Sequence, residues 1–258
     1  TDMSIGKYTE GRIDGRIAEL ELIRPEKRNA MSDGLMAEIE AFYASLPASV
    51  RVVILHGRGG HYCSGLDLAE HVSRTAEEGV HHSRNWQRVM DLIQYGGTVT
   101  ISAMTGAVIG GGLELASSTH VRIAEPSVIF QLPEGRRGIF VGGGASVRVG
   151  RIIGPDRMVE MMLTGRKYDA EDGLRLGLAH YAVAEGEALP KARELAATIA
   201  DNAPMSNYFM VQALPRINDM SRSDGFFTES LAAALVQTTP DAAEGLNAFL
   251  EKRQPVFR

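Results

Sequence analysis

The sequence predicts an α/β fold with parallel core strands and a helical C-terminal region, from three observations. Val50–Leu55 is a nearly continuous β-branched run, the pattern of a strand buried on both faces, and Val99–Met104 and Val121–Ala124 read as two further short core strands. Segments with helical spacing alternate with them, the order expected of strand–helix layers. After about Gly143 the strand-like runs stop and helical patterns take over. The division is placed at 195, with an α/β core over 1–195 and a helical region over 196–258.

In chain order, Lys7 to Ile23 reads as a hairpin. Asp14-Gly15 is a two-residue turn signal, and Ala18, Leu20 and Leu22 alternate with charged residues. A helix capped by Ser32 follows, with Leu35, Ile39, Phe42 and Leu46 on one face, closed by Pro47. The Val50–Leu55 strand runs into a polar loop over 57–61. Arg84 to Gln94 is the next predicted helix, with Trp86, Val89, Met90 and Ile93 inward. The strand at Val99 leads through Gly106 to a helix opening near Gly111, and Val121–Ala124 is the third core strand. Gly154-Pro155 separates two helices, with Pro155 suited to a first helical position. Asp169 caps a short helix that Gly177 ends. Helical patterns then cover about 190–200, 207–218, 226–236 and 241–253.

Composition narrows the function. Of 258 residues 44% are hydrophobic, enough for a buried core, and a net charge of −5 argues against general attraction to nucleic acid or anionic membranes. A single cysteine, Cys63, excludes an intramolecular disulfide and suggests a reducing, cytoplasmic setting. The first ten residues lack a basic stretch followed by an apolar run, so no signal peptide is expected. No apolar stretch approaches the ~18 residues of a membrane span. The seven histidines show no His-Glu-x-x-His pattern, and no metal site is expected. A Gly-x-Ser-x-Gly elbow is also lacking, and Cys63 reads as a small buried hydrophobe.

Three pieces carry chemistry. Ser64-Gly65-Leu66-Asp67 lies beyond the C-terminal end of a buried strand, where α/β folds place ligands; the glycine there lets the Leu66 amide face a cavity, the alternative being an ordinary turn. Gly110-Gly111-Gly112-Leu113-Glu114 sits between strand and helix and frees the first helical amides to hold a developing anion. Neither a Gly-x-Gly-x-x-Gly spacing nor a Gly-Lys-Ser/Thr sequence supports phosphate cradling there, and the competing reading is close helix–strand packing. Gln131-Leu132-Pro133-Glu134 places a carboxylate among Val128, Ile129, Phe130, Ile139 and Phe140. Burial there raises its pKa into the range of a proton carrier, whereas pairing with Arg136 or Arg137 holds it ionised. Two carboxylates beside glycine-opened amides point to an activated carbonyl compound such as a thioester.

Taken together and in this order, these pieces resemble the crotonase (enoyl-CoA hydratase/isomerase) superfamily. The likeness also takes in Arg24 to Met31, Tyr62 to Leu68, Phe130 to Gly144, Leu163 to Arg166, Ala170 to Gly177 and Phe249 to Arg253. The resemblance implies a spiral of ββα repeats, although no repeat is visible in the sequence itself. It implies homotrimers or homohexamers, with the C-terminal helices serving assembly and site closure. It implies an acyl-CoA substrate and no metal or redox cofactor. By motif match the catalytic set is Leu66 and Gly111, whose amides hold the thioester oxyanion, with Glu114 and Glu134 as the acid–base pair. Contacts to CoA are expected from Arg28, Ser64, Gly65, Asp67 and Lys252. Hydratases of the superfamily carry both glutamates, whereas isomerases often keep only the second. The expected reaction is therefore hydration of a trans-2-enoyl-CoA or its reverse. Double-bond isomerisation and hydration followed by cleavage are the alternatives, and a non-catalytic RNA-binding homologue is a more distant one. Several positions depart from the pattern. Leu66 replaces a common alanine, Ala69 a common lysine and His120 a common aspartate. Arg136 and Arg137 replace small or aliphatic residues.

Overall fold

The computed structural model of the chain describes residues 2–70 and 72–257. Its main sheet has seven strands in the order β1-β2-β3-β4-β5-β7-β9, and two further strands, β6 and β8, form a small second sheet. β1 (Asp2–Ile5), β2 (Thr9–Asp14) and β3 (Ile17–Leu22) run antiparallel. From β3 onward, β4 (Val52–Gly57), β5 (Val99–Met104), β7 (Val121–Ala124) and β9 (Tyr181–Ala182) add in parallel. The second sheet pairs β6 (Ala107–Ile109) with β8 (Ile129–Gln131), also in parallel.

The connectivity makes a spiral. Each turn lays one strand in the main sheet, a second short extended piece in the small layer, and then a helix. β3 leads past Met31 to α1 (Asp33–Ala44), and β4 leads past Cys63 and Leu66 to α2 (Ala76–Tyr95). β5 passes through β6 into α3 (Gly111–Ser117), and β7 through β8 into the 3-10 turn Glu134–Arg137 and α4 (Ala145–Ile153). Single bridges Met31–Leu66 and Cys63–Val108 extend the small layer across the first two turns. The repeat hides in the sequence because its second strand shrinks to three residues, or to one bridging residue, in every turn. β6, β8 and the two-residue β9 are too short for any alternation to show.

Two packing surfaces explain why β4 and β5 are buried on both faces. On one side α7 (Ala188–Ala200) lies on Val52, Ile54, Val99, Ile101 and Ile123 through Ala188, Ala192, Ala196 and Ala200. Alanines four residues apart form one smooth helix stripe that approaches the sheet closely. On the other side Val53, Leu55 and Met104 join the larger core, with Leu35, Met90, Leu115 and Phe130. The division expected between 195 and 196 falls within α7, a single helix whose alanines cover the sheet on both sides of that point.

Buried hydroxyls on the strands are all paired: the Tyr43 hydroxyl meets Thr100, and Tyr62, Ser102 and Thr119 form a chain ending on the Ala116 carbonyl. The Ser32 and Asp169 caps stand as expected. α2 starts eight residues before its predicted start. Its first turns are exposed and lack an apolar stripe, but a Thr75–Glu78 capping box fixes the start. Past α5 (Pro155–Thr164) and α6 (Ala170–Leu176) come α8 (Pro204–Ile217), α9 (Arg222–Gln237) and α10 (Pro240–Glu251). Among the described residues no helix is long and apolar enough to cross a membrane.

Candidate active site

The small layer gathers the predicted pieces. Gly65 has φ of +89°, and a Cβ on it would stand 2.6 Å from the Ile109 carbonyl oxygen and 3.1 Å from the Gly111 nitrogen. A Cβ on Gly111 would lie 3.7 Å from the Leu66 nitrogen and 3.0 Å from the sulfur of Met31. The amides of Leu66 and Gly111 are thus brought together from successive turns of the spiral. Their neighbours are spoken for: Asp67 N–H donates to Met31, Gly110 N–H to Gln131, and Leu113 and Glu114 N–H to Gly110. Among the described residues neither the Leu66 nor the Gly111 amide donates to a protein acceptor. Two adjacent unspent N–H groups are what an oxyanion requires.

The three glycines of α3's approach have separate tasks. Gly110 takes φ of +56°, which turns the chain from β6 into the helix. Gly111 presents the free amide. Gly112 presses on the backbone carbonyl of Cys63, where a Cβ has no room. The sequence offered anion binding and close packing as competing readings; close packing falls to Gly112, while the neighbouring Gly111 keeps an amide without a protein acceptor among the described residues.

Glu114 is 4% exposed on α3, and its Oε1 accepts N–H bonds from Gly143 (2.8 Å) and Ala145 (3.3 Å). Burial pushes its pKa up; the amides of Gly143, Ala145 and Gly142, and then Arg148, oppose that rise by favouring the charged form. Glu134 opens the 3-10 turn beyond β8 and is 6% exposed, with Oε1 3.1 Å from where a Cβ of Gly110 would be. Its Oε2 is buried without a hydrogen-bond partner among the described residues. Burial pushes Glu134 up to about 7; a hydrogen bond from its own backbone opposes the rise, the charge of Glu114 adds to it, and Arg137 opposes it last. Among the described residues no ion pair links it to Arg136 or Arg137. Both are exposed, and Arg136 instead donates to the Thr164 carbonyl.

The remaining expected contacts are scattered. Arg28 is an exposed residue in the left-handed region, and Ser64 donates to the Lys27 carbonyl. Asp67, expected at the CoA site, is only 5% exposed and lies 2.8 Å from the Arg24 guanidinium, where it braces the loop. Lys252 caps α10, exposed, and hydrogen-bonds to none of the site residues. His120 serves the scaffold: Nδ1 accepts from Thr100 N–H, so Nε2 carries the proton and donates to the Gln94 carbonyl. Burial lowers its pKa, in keeping with that neutral form. A cavity of about 900 Å³ opens between α2, α4 and α8, but neither glutamate lines it. No cluster of three or more His, Cys, Asp or Glu suited to a metal occurs among the described residues. The sequence reading missed the amides that hold Glu114. The Gly142-Gly143-Gly144 run was their signal.

This geometry has relatives. Residues 12–258 match the family described as Enoyl-CoA hydratase/isomerase. The chain belongs to that family. A human protein named enoyl-CoA hydratase domain-containing protein 2, mitochondrial, is 34% identical over 95% of this chain and 86% of its own length. A mitochondrial Delta(3,5)-Delta(2,4)-dienoyl-CoA isomerase of Dictyostelium discoideum is 29% identical over 94% of this chain and 87% of its own. Among solved structures, one from Rhodopseudomonas palustris is 45% identical with a TM-score of 0.94, covering 98% of both chains. An enoyl-CoA hydratase from Bacillus anthracis is 30% identical with a TM-score of 0.91, covering 97% of this chain and 99% of that one. The crotonase fold expected from the motifs is therefore the fold of this chain. Both hydratases and isomerases stand among its family relatives, so the reaction has to be argued from the site.

Proposed function

We propose that the protein is an acyl-CoA lyase that reversibly adds water across the double bond of a trans-2-enoyl-CoA, giving a 3-hydroxyacyl-CoA. The observation that carries this reading is the pair of buried carboxylates that act on each other's charge, Glu114 on the helix that Gly111 opens and Glu134 against Gly110, next to two unspent amides. The amides of Leu66 and Gly111 take the thioester oxygen and stabilise the enolate that forms as oxygen bonds to Cβ. Both carboxylates are buried and the charge of Glu114 raises Glu134, so the two do not readily ionise together at neutral pH and the pair holds one proton. Glu114 receives backbone N–H bonds that favour its charge, whereas the Oε2 of Glu134 receives none. The shared proton is therefore assigned to Glu134. Glu114 holds the water and accepts its proton as the oxygen adds to Cβ, and Glu134 delivers a proton to Cα on the same face. The net change is one water gained, and these steps draw on no group beyond the protein and the CoA thioester.

Arg28, Ser64, Gly65 and Lys252 remain the proposed CoA contacts. Copies of this chain, as trimers or hexamers, are the proposed partners, and the buried Cys63, its thiol pushed up to about 12 by burial, suits a reducing cytoplasmic setting. Incubation with crotonyl-CoA and cinnamoyl-CoA in water and D₂O, followed by absorbance of the conjugated thioester and product mass, tests the reaction. Gain of one water is expected, and Glu114→Ala is expected to abolish most of it. Deuterium entering a saturated acyl-CoA with no water addition in the wild type overturns the hydratase reading in favour of isomerisation.

A further inference from the structure

α2 carries a polar stripe of Ser83, Gln87, Asp91 and Gln94, spaced four, four and three residues apart and so on one face. The stripe faces the glycine loop 142–144. Ser83 Oγ donates to the Gly142 carbonyl at 2.6 Å and Gln87 Nε2 donates to the same oxygen at 3.2 Å. Asp91 and Gln94 each hold Arg148 at 2.6 Å, and Arg148 donates to the next carbonyl, Gly143. The Gly142 carbonyl belongs to the same peptide group as the Gly143 N–H, and that N–H donates to Glu114 Oε1 at 2.8 Å. One planar peptide therefore has two side-chain donors on its oxygen and the carboxylate on its nitrogen. Neither glycine can change freely: a Cβ on Gly143 would sit 2.5 Å from Glu114 Oε2, and one on Gly142 3.3 Å from Ser83 Oγ.

We propose that Ser83 and Gln87 are positioning residues for Glu114, acting through the Gly142–Gly143 peptide. Donation to the carbonyl fixes the plane of the peptide and polarises it, which strengthens the N–H bond on its other side. That bond aims Oε1 and supports its charge in a site that burial has made unfavourable for charge. The inference rests on the reading of Glu114 as the carboxylate that holds water. The charged groups facing Glu114 are Glu134 from the turn after β8 and Arg148 from α4. Among the described residues no side chain of α2 hydrogen-bonds to Glu114; the polar stripe acts on it through the peptide and through Arg148.

The test uses the full chain with ¹⁵N-labelled glycine, as wild type, Ser83→Ala, Gln87→Leu, the double variant and Ser83→Thr. The Gly143 amide signal is followed against pH, identified as the one that ceases to titrate with Glu114 in Glu114→Gln. Crotonyl-CoA kinetics are measured alongside. Loss of the carbonyl donors weakens the support for the Glu114 charge, so its midpoint is expected to rise by about half a pH unit in the double variant. kcat falls about tenfold while KM stays within about twofold, and Ser83→Thr restores most of the rate. An unchanged midpoint overturns the inference, whether or not the rate falls. The two single variants give the same readout if the double variant does not fold. A wild type that adds no water, but whose Gly143 midpoint moves as expected in the variants, removes the hydratase reading and leaves the positioning of Glu114 standing.

Discussion

In the proposed reaction Glu134 carries the proton, and the burial that suits it to that task destabilises the fold. Its pKa stands at about 7 in the folded chain against 4.5 for an ordinary glutamate. Between those two values the folded state keeps a proton that the unfolded state has released, so stability falls as pH rises across that window. Above about pH 7 the loss is complete, on the order of 1–2 kcal/mol once solvent screening is allowed for. Glu134→Gln removes the cost: its melting temperature is expected to exceed that of wild type at pH 8 and to match it at pH 4. The same variant is expected to lose about 10²–10⁴ in kcat with little change in KM, since the proton for Cα is gone. Calorimetry and steady-state kinetics on one preparation check both, and a melting gain that persists at pH 4 would rule out the electrostatic cause.

At the scale of elements, α3 is short, wholly buried, and held against the chain through Gly112. Gly112→Ala drives a methyl into the Cys63 carbonyl, which belongs to backbone and cannot swing aside. A loss of about 3 kcal/mol is expected in urea unfolding, larger than usual for overpacking. Its counterpart at a half-buried helical glycine with open space, Gly79→Ala in α2, is expected to gain a few tenths of a kcal/mol or more. The long elements were legible in the sequence because their periodicity is set by one burial face: the hairpin, α1, β4, β5 and α6 stand where spacing and caps put them. The small sheet was not legible. Its strands are three residues long, and their pairing is decided by tertiary contact with Cys63 and Tyr168. The motif residues of the site were visible as residue types. What holds Glu114 was not, because it comes from backbone amides 29 and 31 residues away, and the glycine run 142–144 that marks them does not say which carboxylate they serve.

Across the whole molecule, the last two helices show apolar stripes to solvent. Phe227, Leu231 and Leu235 recur every fourth residue on α9, and Leu246, Phe249 and Leu250 line α10, with Phe249 81% exposed. Monomers rarely leave such contiguous surface open. Light scattering of the purified chain is expected to give the mass of three or six copies, and Leu246→Glu with Leu250→Glu to lower it; a wild-type monomer would remove assembly from the picture. The spiral also has a consequence for synthesis. Turns are laid down in chain order, and each closes on the one before it: Met31 on Leu66, Cys63 on Val108, β6 on β8. A nascent chain that has emerged as far as residue 140 already owns both carboxylates and both free amides. It does not yet own Gly143 or Ala145, nor the carbonyl that Ser83 has been waiting to meet since its own helix formed. The groups proposed for catalysis are thus made early and the part that steadies them last, so a ribosome-stalled fragment of that length would carry all four of them without the amides that hold Glu114.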